Sequence, residues 1–174
     1  MTSKKLVRAA LAVLTSFAVL AGCSGSGGDD HNQADVTFAQ GMIPHHEQAL
    51  AMAKLVDGRT ADVKVVDLAA RVERAQNPEI QQLTGLLEKW GATPSSEHSA
   101  HGMMTDDDLG KLGQAKDAAF DRQWLEMMVK HHEGALAMAK TELQQGQNAE
   151  AKALAQKVID GQQAEITEMR TLLG

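Results

Sequence analysis

Apolar residues between positions 35 and 174 return every three or four residues, the period of a helix that buries one face. Two such patterns fill 35–92, parted by the polar Asp57, Gly58, Arg59 and Thr60, and two more fill 114–174, parted at 144–148. No alternating strand pattern competes. Val63, Val65 and Val66 form the only β-branched cluster, and they stand where a helix starts. Pro78 falls inside the second helix, where it removes one hydrogen bond and predicts a kink.

The chain also matches itself. At an offset of 86 residues, 35–54 lies over 121–140 and the register holds to the C-terminus, with 19 of 54 pairs identical. Two helix hairpins, each with one apolar face, bury those faces most simply against each other. The predicted fold is all-α: a four-helix bundle made of two duplicated helix hairpins related by pseudo-twofold symmetry.

The polar residues on the inner faces carry the candidate chemistry. On a helical wheel Phe38, Met42, His45, His46, Ala49 and Met52 share one face about 120° wide. Met128, His131, His132, Ala135 and Met138 repeat it in the second half. Glu79 and Gln76 fall on the apolar stripe set by Leu68, Val72, Leu83 and Leu86, as do Glu165 and Gln162 on the fourth helix. A carboxylate on such a stripe is costly unless paired, hydrogen-bonded or bound to a cation, and the His residues across the bundle are the evident partners. One His of each pair can ligate a metal while the other holds Glu79 or Glu165. Glu47 and Glu133 point outward, and Asp35 and Asp121 lie about 16 Å along the axis from the His, so both sets read as non-ligating.

Imidazole suits copper, zinc, nickel and iron, and thioether shifts the preference toward Cu(I). A di-iron bundle takes Glu three residues before its His; here Met42 and Met128 hold that place. The His-Glu-x-x-His of zinc hydrolases is absent. A second cluster, His98, His101, Met103 and Met104, sits in the connecting loop and suits copper capture.

The combination Asp-x-x-Phe/Trp, Met-x-x-His-His-x-x-Ala-x-x-Met-Ala and Gln-x-x-Glu-Ile, present in both halves, resembles the bacterial family called domain of unknown function 305. The resemblance covers 35–174 and implies a ferritin-like four-helix fold in exported or lipid-anchored proteins, with members linked to copper binding and copper tolerance. Leu83, opposite Met169 in the second half, departs from the duplicated pattern.

Residues 1–22 read as a lipoprotein signal peptide: Lys4, Lys5 and Arg8 precede a short apolar run, and Leu20-Ala21-Gly22-Cys23 resembles the lipobox. Cys23 is then the lipidated N-terminus and 23–34 a flexible tether. The bundle 35–174 divides into a first hairpin, 35–92, a His/Met-rich loop, 93–113, and a second hairpin, 114–174; late in the loop, Thr105 followed by three Asp reads as a helix N-cap, and Gly110 and Gly113 weaken the helix that follows. Loss of 1–22 removes those three basic groups and no acid, so the formal charge falls from −6 to −9. An acidic surface attracts cations and disfavours nucleic acid. A single Cys rules out a disulfide framework or a Cys-rich zinc site.

These features predict an exported metal-binding protein, anchored to the membrane by Cys23 and serving copper storage or handover through His and Met. Its partners would be a metal-transfer protein or further copies of itself. Two other readings stay open: a ferritin-like metal-dependent oxidoreductase at the same centre, and a metal-free helical module whose His–Glu networks only specify packing.

Overall fold

A computed structural model of the chain describes residues 30–94 and 101–174. The signal segment, Cys23 and His98 lie outside the described residues. Among the described residues five helices follow one another: α1 Gln33–Lys54, α2 Val63–Lys89, α3 Asp106–Gln114, α4 Asp117–Gln145 and α5 Ala149–Leu173. Four of them build the bundle. The inner helix α1 packs on both α2 and α4, α4 packs on α5, and α2 and α5 barely meet.

Local chemistry sets the ends. Asn32 and Asp35 form a capping box at the start of α1, Asp62 caps α2, and Asn148 accepts from two backbone N–H groups at the start of α5. Residues 106–114 shorten the expected loop 93–113, and the cap read at Thr105 is present. Thr105 and Asp108 cap each other, and the three acids of the first turn suit its positive end, so α3 forms despite Gly110 and Gly113. The α2 helix continues through Pro78, as α1 does through Pro44. Lys116 gives α4 no side-chain cap; Asp117, at φ 51°, instead donates its N–H to the Arg59 carbonyl at 2.6 Å. Arg59 reaches on to the Gly113 carbonyl at 3.0 Å, so the α1–α2 turn holds the α3–α4 junction.

The core is two apolar clusters. One gathers Met52, Leu68, Phe120, Trp124 and Met128 near the C-terminal end of α1, where Trp124 Nε1 donates to the Met52 carbonyl at 2.9 Å. The other gathers Phe38, Met42, Leu83, Leu87, Ala139 and Leu154. The four His fall into neither cluster, although all are fully buried.

The end where α1 begins is closed by two carboxyl groups. Asp35 is fully buried and accepts from the backbone N–H groups of Asn32, Gln147 and Asn148 at 2.6, 3.0 and 2.8 Å. Burial alone would raise its pKa, but these bonds and the Glu142 side chain hold it below the usual value. Burial, and then Asp35 beside it, pushes Glu142 up to about 8, against a weaker pull from Lys152. Between about 4.5 and 8 the folded state keeps a proton that the unfolded chain has lost, so stability falls as pH rises through that window. Glu142→Gln replaces the titrating carboxyl by a near-isosteric neutral amide and is expected to flatten that fall. Melting temperatures at pH 5 and pH 8 check this; an unchanged gap between them would contradict it.

Candidate metal centre

The His pairs sit midway along α1 and α4, the two inner helices, and their side chains meet. The His45 and His131 rings lie 3.8 Å apart between centroids, tilted by 38°, and His131 and His132 are 6.4 Å apart. His46 Nε2 donates to Glu79 Oε2 at 2.9 Å, and His132 Nε2 to Glu165 Oε2 at 2.8 Å. In each half, then, the second His of the pair takes the carboxylate of the outer helix, and the first His meets its counterpart across the bundle. Met42 and Met128, one turn before the His, are fully buried, one in each apolar cluster.

Burial decides the charge state. It lowers the pKa of His45 to about 3, helped by His46 beside it, and lowers His131 well below the ordinary value, helped by His45. Burial also lowers His46, against the upward pull of Glu79. Neutral rings are required in any case, since two imidazolium ions could not share this spacing in a dry interior.

Hydrogen bonds decide the tautomer. His45 Nε2 lies 3.0 Å from the carbonyl oxygen of His101. A carbonyl only accepts, so Nε2 carries the hydrogen and Nδ1 keeps its lone pair. The carboxylates of Glu79 and Glu165 fix His46 and His132 in the same way. All three Nδ1 atoms are buried without a hydrogen-bond partner, and neither ring nitrogen of His131 has one. The side-chain amides of Gln76 and Gln162, 1% and 4% exposed, are equally unpartnered. Each unmet buried polar group costs about 1–3 kcal/mol, so these nitrogens and amides are costly unless a further partner meets them.

Carboxylate, histidine and a free ring nitrogen in series form the usual arrangement around a bound metal: the carboxylate orients the ring and makes its other nitrogen more basic. Among the described residues, no three His, Cys, Asp or Glu side chains come together as a cation cage. A metal here would need donors of another kind as well; Met42 and Met128, buried three residues before the first His of each pair, are the thioether candidates. Imidazole with thioether would make a soft donor set.

The other sequence candidates are distributed differently. Met52, fully buried, and Met138, partly buried, lie six residues beyond His46 and His132, about 9 Å along the axis, among apolar side chains. Of the loop cluster, the His101 side chain is exposed, Met103 is half-buried and Met104 is buried in the apolar cluster around Leu112. Glu47 and Glu133 are exposed as expected, Glu133 pairing with Arg170. Asp35 serves the fold, and Asp121 is half-buried away from the His.

Three contributors escaped the sequence patterns. Lys157 of α5 reaches Glu79 Oε1 at 3.3 Å, so Glu79 is held by His46 on one oxygen and by a cation on the other. No such bridge to Glu165 occurs among the described residues, which makes the two halves unequal. Gln48 and Gly134 seat the segment 101–104, and the signal for them was present: over ten residues from His45 and ten from His131, they are the only mismatch.

The sequence model described as Domain of unknown function (DUF305) matches residues 35–173. The chain belongs to the DUF305 family. A DUF305 protein of Streptomyces coelicolor, assigned as secreted, has a solved structure that is 30% identical, with a TM-score of 0.75 over 80% of this chain and 91% of that one. The copper-bound structure of CopM in its Cu(I) form is 28% identical, with a TM-score of 0.69 over 79% of this chain and 94% of CopM; Cu(II)- and Ag-bound forms of CopM are similar too. A 55-residue stretch is 34% identical to the uncharacterized protein L153 of Acanthamoeba polyphaga mimivirus, spanning 32% of this chain and 36% of that protein. DUF305 membership agrees with the all-helical bundle expected from the sequence.

Proposed function

We propose that this DUF305 protein is an extracytoplasmic copper carrier, tethered to the membrane through lipidated Cys23, that binds Cu(I) at its buried His/Met layer for storage or handover. One observation carries the reading: four buried imidazoles with unpartnered ring nitrogens, two of them braced by carboxylates, on helices that also carry the buried Met42 and Met128. The copper- and silver-bound forms of CopM support the choice of metal. The secreted assignment of the Streptomyces relative supports the outer location, and no helix among the described residues is long and apolar enough to cross a membrane. His46, His132, Met42 and Met128 are the proposed ligands together with the His45–His131 pair; Glu79 and Glu165 orient the rings. Gln76 and Gln162 complete the polar layer.

Thermal unfolding tests this without any assay of turnover. A ligand that binds only the folded state stabilises it by about 2.7 kcal/mol at a hundredfold excess over its Kd. Cu(I) under reducing, anaerobic conditions should therefore raise the melting temperature by several degrees. An unchanged melting temperature with Cu(I), Zn(II) and Fe(II) alike would favour the metal-free packing module. Sustained consumption of O₂ or peroxide by the loaded protein would favour the oxidoreductase.

A further inference from the structure

Residues 101–104 cross the groove between α1 and α4 directly over the His pair. The crossing has two seats. On α4, Gly134 lets the backbone approach so closely that a Cβ there would meet the carbonyl carbon of His101 at 2.7 Å and the Cα of Gly102 at 2.9 Å. Gly102 is itself obligatory: its φ is +73°, and a Cβ would meet the Lys130 carbonyl oxygen at 2.7 Å. On α1, the Gln48 side-chain amide binds both backbone groups of Met104, accepting its N–H at 2.7 Å and donating to its carbonyl at 2.9 Å. Between these seats, the His101 carbonyl takes the hydrogen of His45 Nε2. His45 and His131 have no exposed surface beneath it.

The halves of the chain differ where this strap lands. The ten residues from His45 and the ten from His131 read HHE, then Gln or Gly, then ALAMAK. The single difference supplies the hydrogen-bonding seat on one helix and the close-approach seat on the other. A strap that merely linked two hairpins would need neither a two-point clamp nor a gap for its backbone against the helix.

We propose that residues 101–104 gate access to the His45–His131 pair, with Gln48 and Gly134 as positioning residues that act through the strap, and that opening it controls metal exchange. The second clause rests on the copper reading; the first does not. The closed strap holds His45 in the tautomer whose Nδ1 faces the interior. The open strap releases Nε2 and uncovers both rings.

Two variants open the strap from opposite seats. Gly134→Ala adds a methyl that the His101 backbone must vacate, while improving the helix propensity of α4 itself. Gln48→Ala deletes both bonds to Met104 and adds no bulk. Diethyl pyrocarbonate, read residue by residue by mass spectrometry on the metal-free protein, reports ring access, with the exposed His101 as internal standard. Modification of His45 and His131 is expected to accelerate at least tenfold in both variants, His46 and His132 staying protected. Cu(I) release to a chromogenic chelator is expected to accelerate by a similar factor. Unchanged modification of His45 and His131 in folded variants overturns the gate, whatever copper does. Faster modification with unchanged Cu(I) release overturns its control of exchange. Faster modification in a protein that binds no Cu(I) supports the gate and removes the copper reading instead. Should Gly134→Ala unfold, seen as equal reactivity of all the His, Gln48→Ala decides.

Discussion

Replacing His46 and His132 together by alanine is expected to lower Cu(I) affinity by about 100-fold or more while leaving the helices formed. Losing a single carboxylate that orients a ligand already costs 10–100-fold in comparable centres, and this variant removes two ligands outright. The fold should survive for a local reason. Glu79 keeps the Lys157 ammonium on its second oxygen, and Glu165 is partly exposed, so neither carboxylate is stranded in a dry interior. A loss of several kcal/mol in stability is the expected penalty from the two bonds and the two cavities. Far-ultraviolet circular dichroism and a Cu(I) competition titration on the same sample separate the two effects. Global unfolding of the variant would make these His structural and contradict the assignment.

Met42→Leu with Met128→Leu should weaken Cu(I) binding by at least tenfold while barely touching the fold. Leucine nearly conserves the volume of methionine, so each swap costs under about 1.5 kcal/mol in these buried positions. What it removes is the soft sulfur. Any Zn(II) binding, which relies on imidazole, should change little, so the ratio of Cu(I) to Zn(II) affinity falls. The same swap at Met52 and Met138 sits about 9 Å along the axis and should leave that ratio intact. A core-filler role for all four Met would show as equal, small effects from both double variants.

Much of this was legible before any coordinates. Helical period and the 86-residue repeat placed the hairpins; the polar break at 57–60 falls between α1 and α2, and that at 144–148 overlaps the last two residues of α4 and the turn before α5. The wheel placed Glu79 on an apolar stripe, and a buried carboxylate demands a partner; His46 is that partner. Periodicity is blind to what happens between helices. The bond from Lys157 to Glu79 depends on how α5 lies against α2, which no repeat within one helix records. Thr105 and its three acids marked a helix start inside the segment assigned as loop, and the capping box carries α3 past two glycines. The acid pair Asp35–Glu142 was invisible for another reason: at the same offset Glu142 lies over Val56, so the duplicated pattern gives no hint of it.

The measurement closest to the central claim is a Cu(I) titration of the wild-type protein against a chromogenic competitor, with Zn(II) and Fe(II) run in parallel. The expected result is Cu(I) binding tight enough to strip the competitor, weaker Zn(II) and Fe(II) binding, and loss of the Cu(I) site in the His46/His132 double variant. Failure to compete for Cu(I), or equal retention of Cu(I) by that double variant in its folded state, would contradict it.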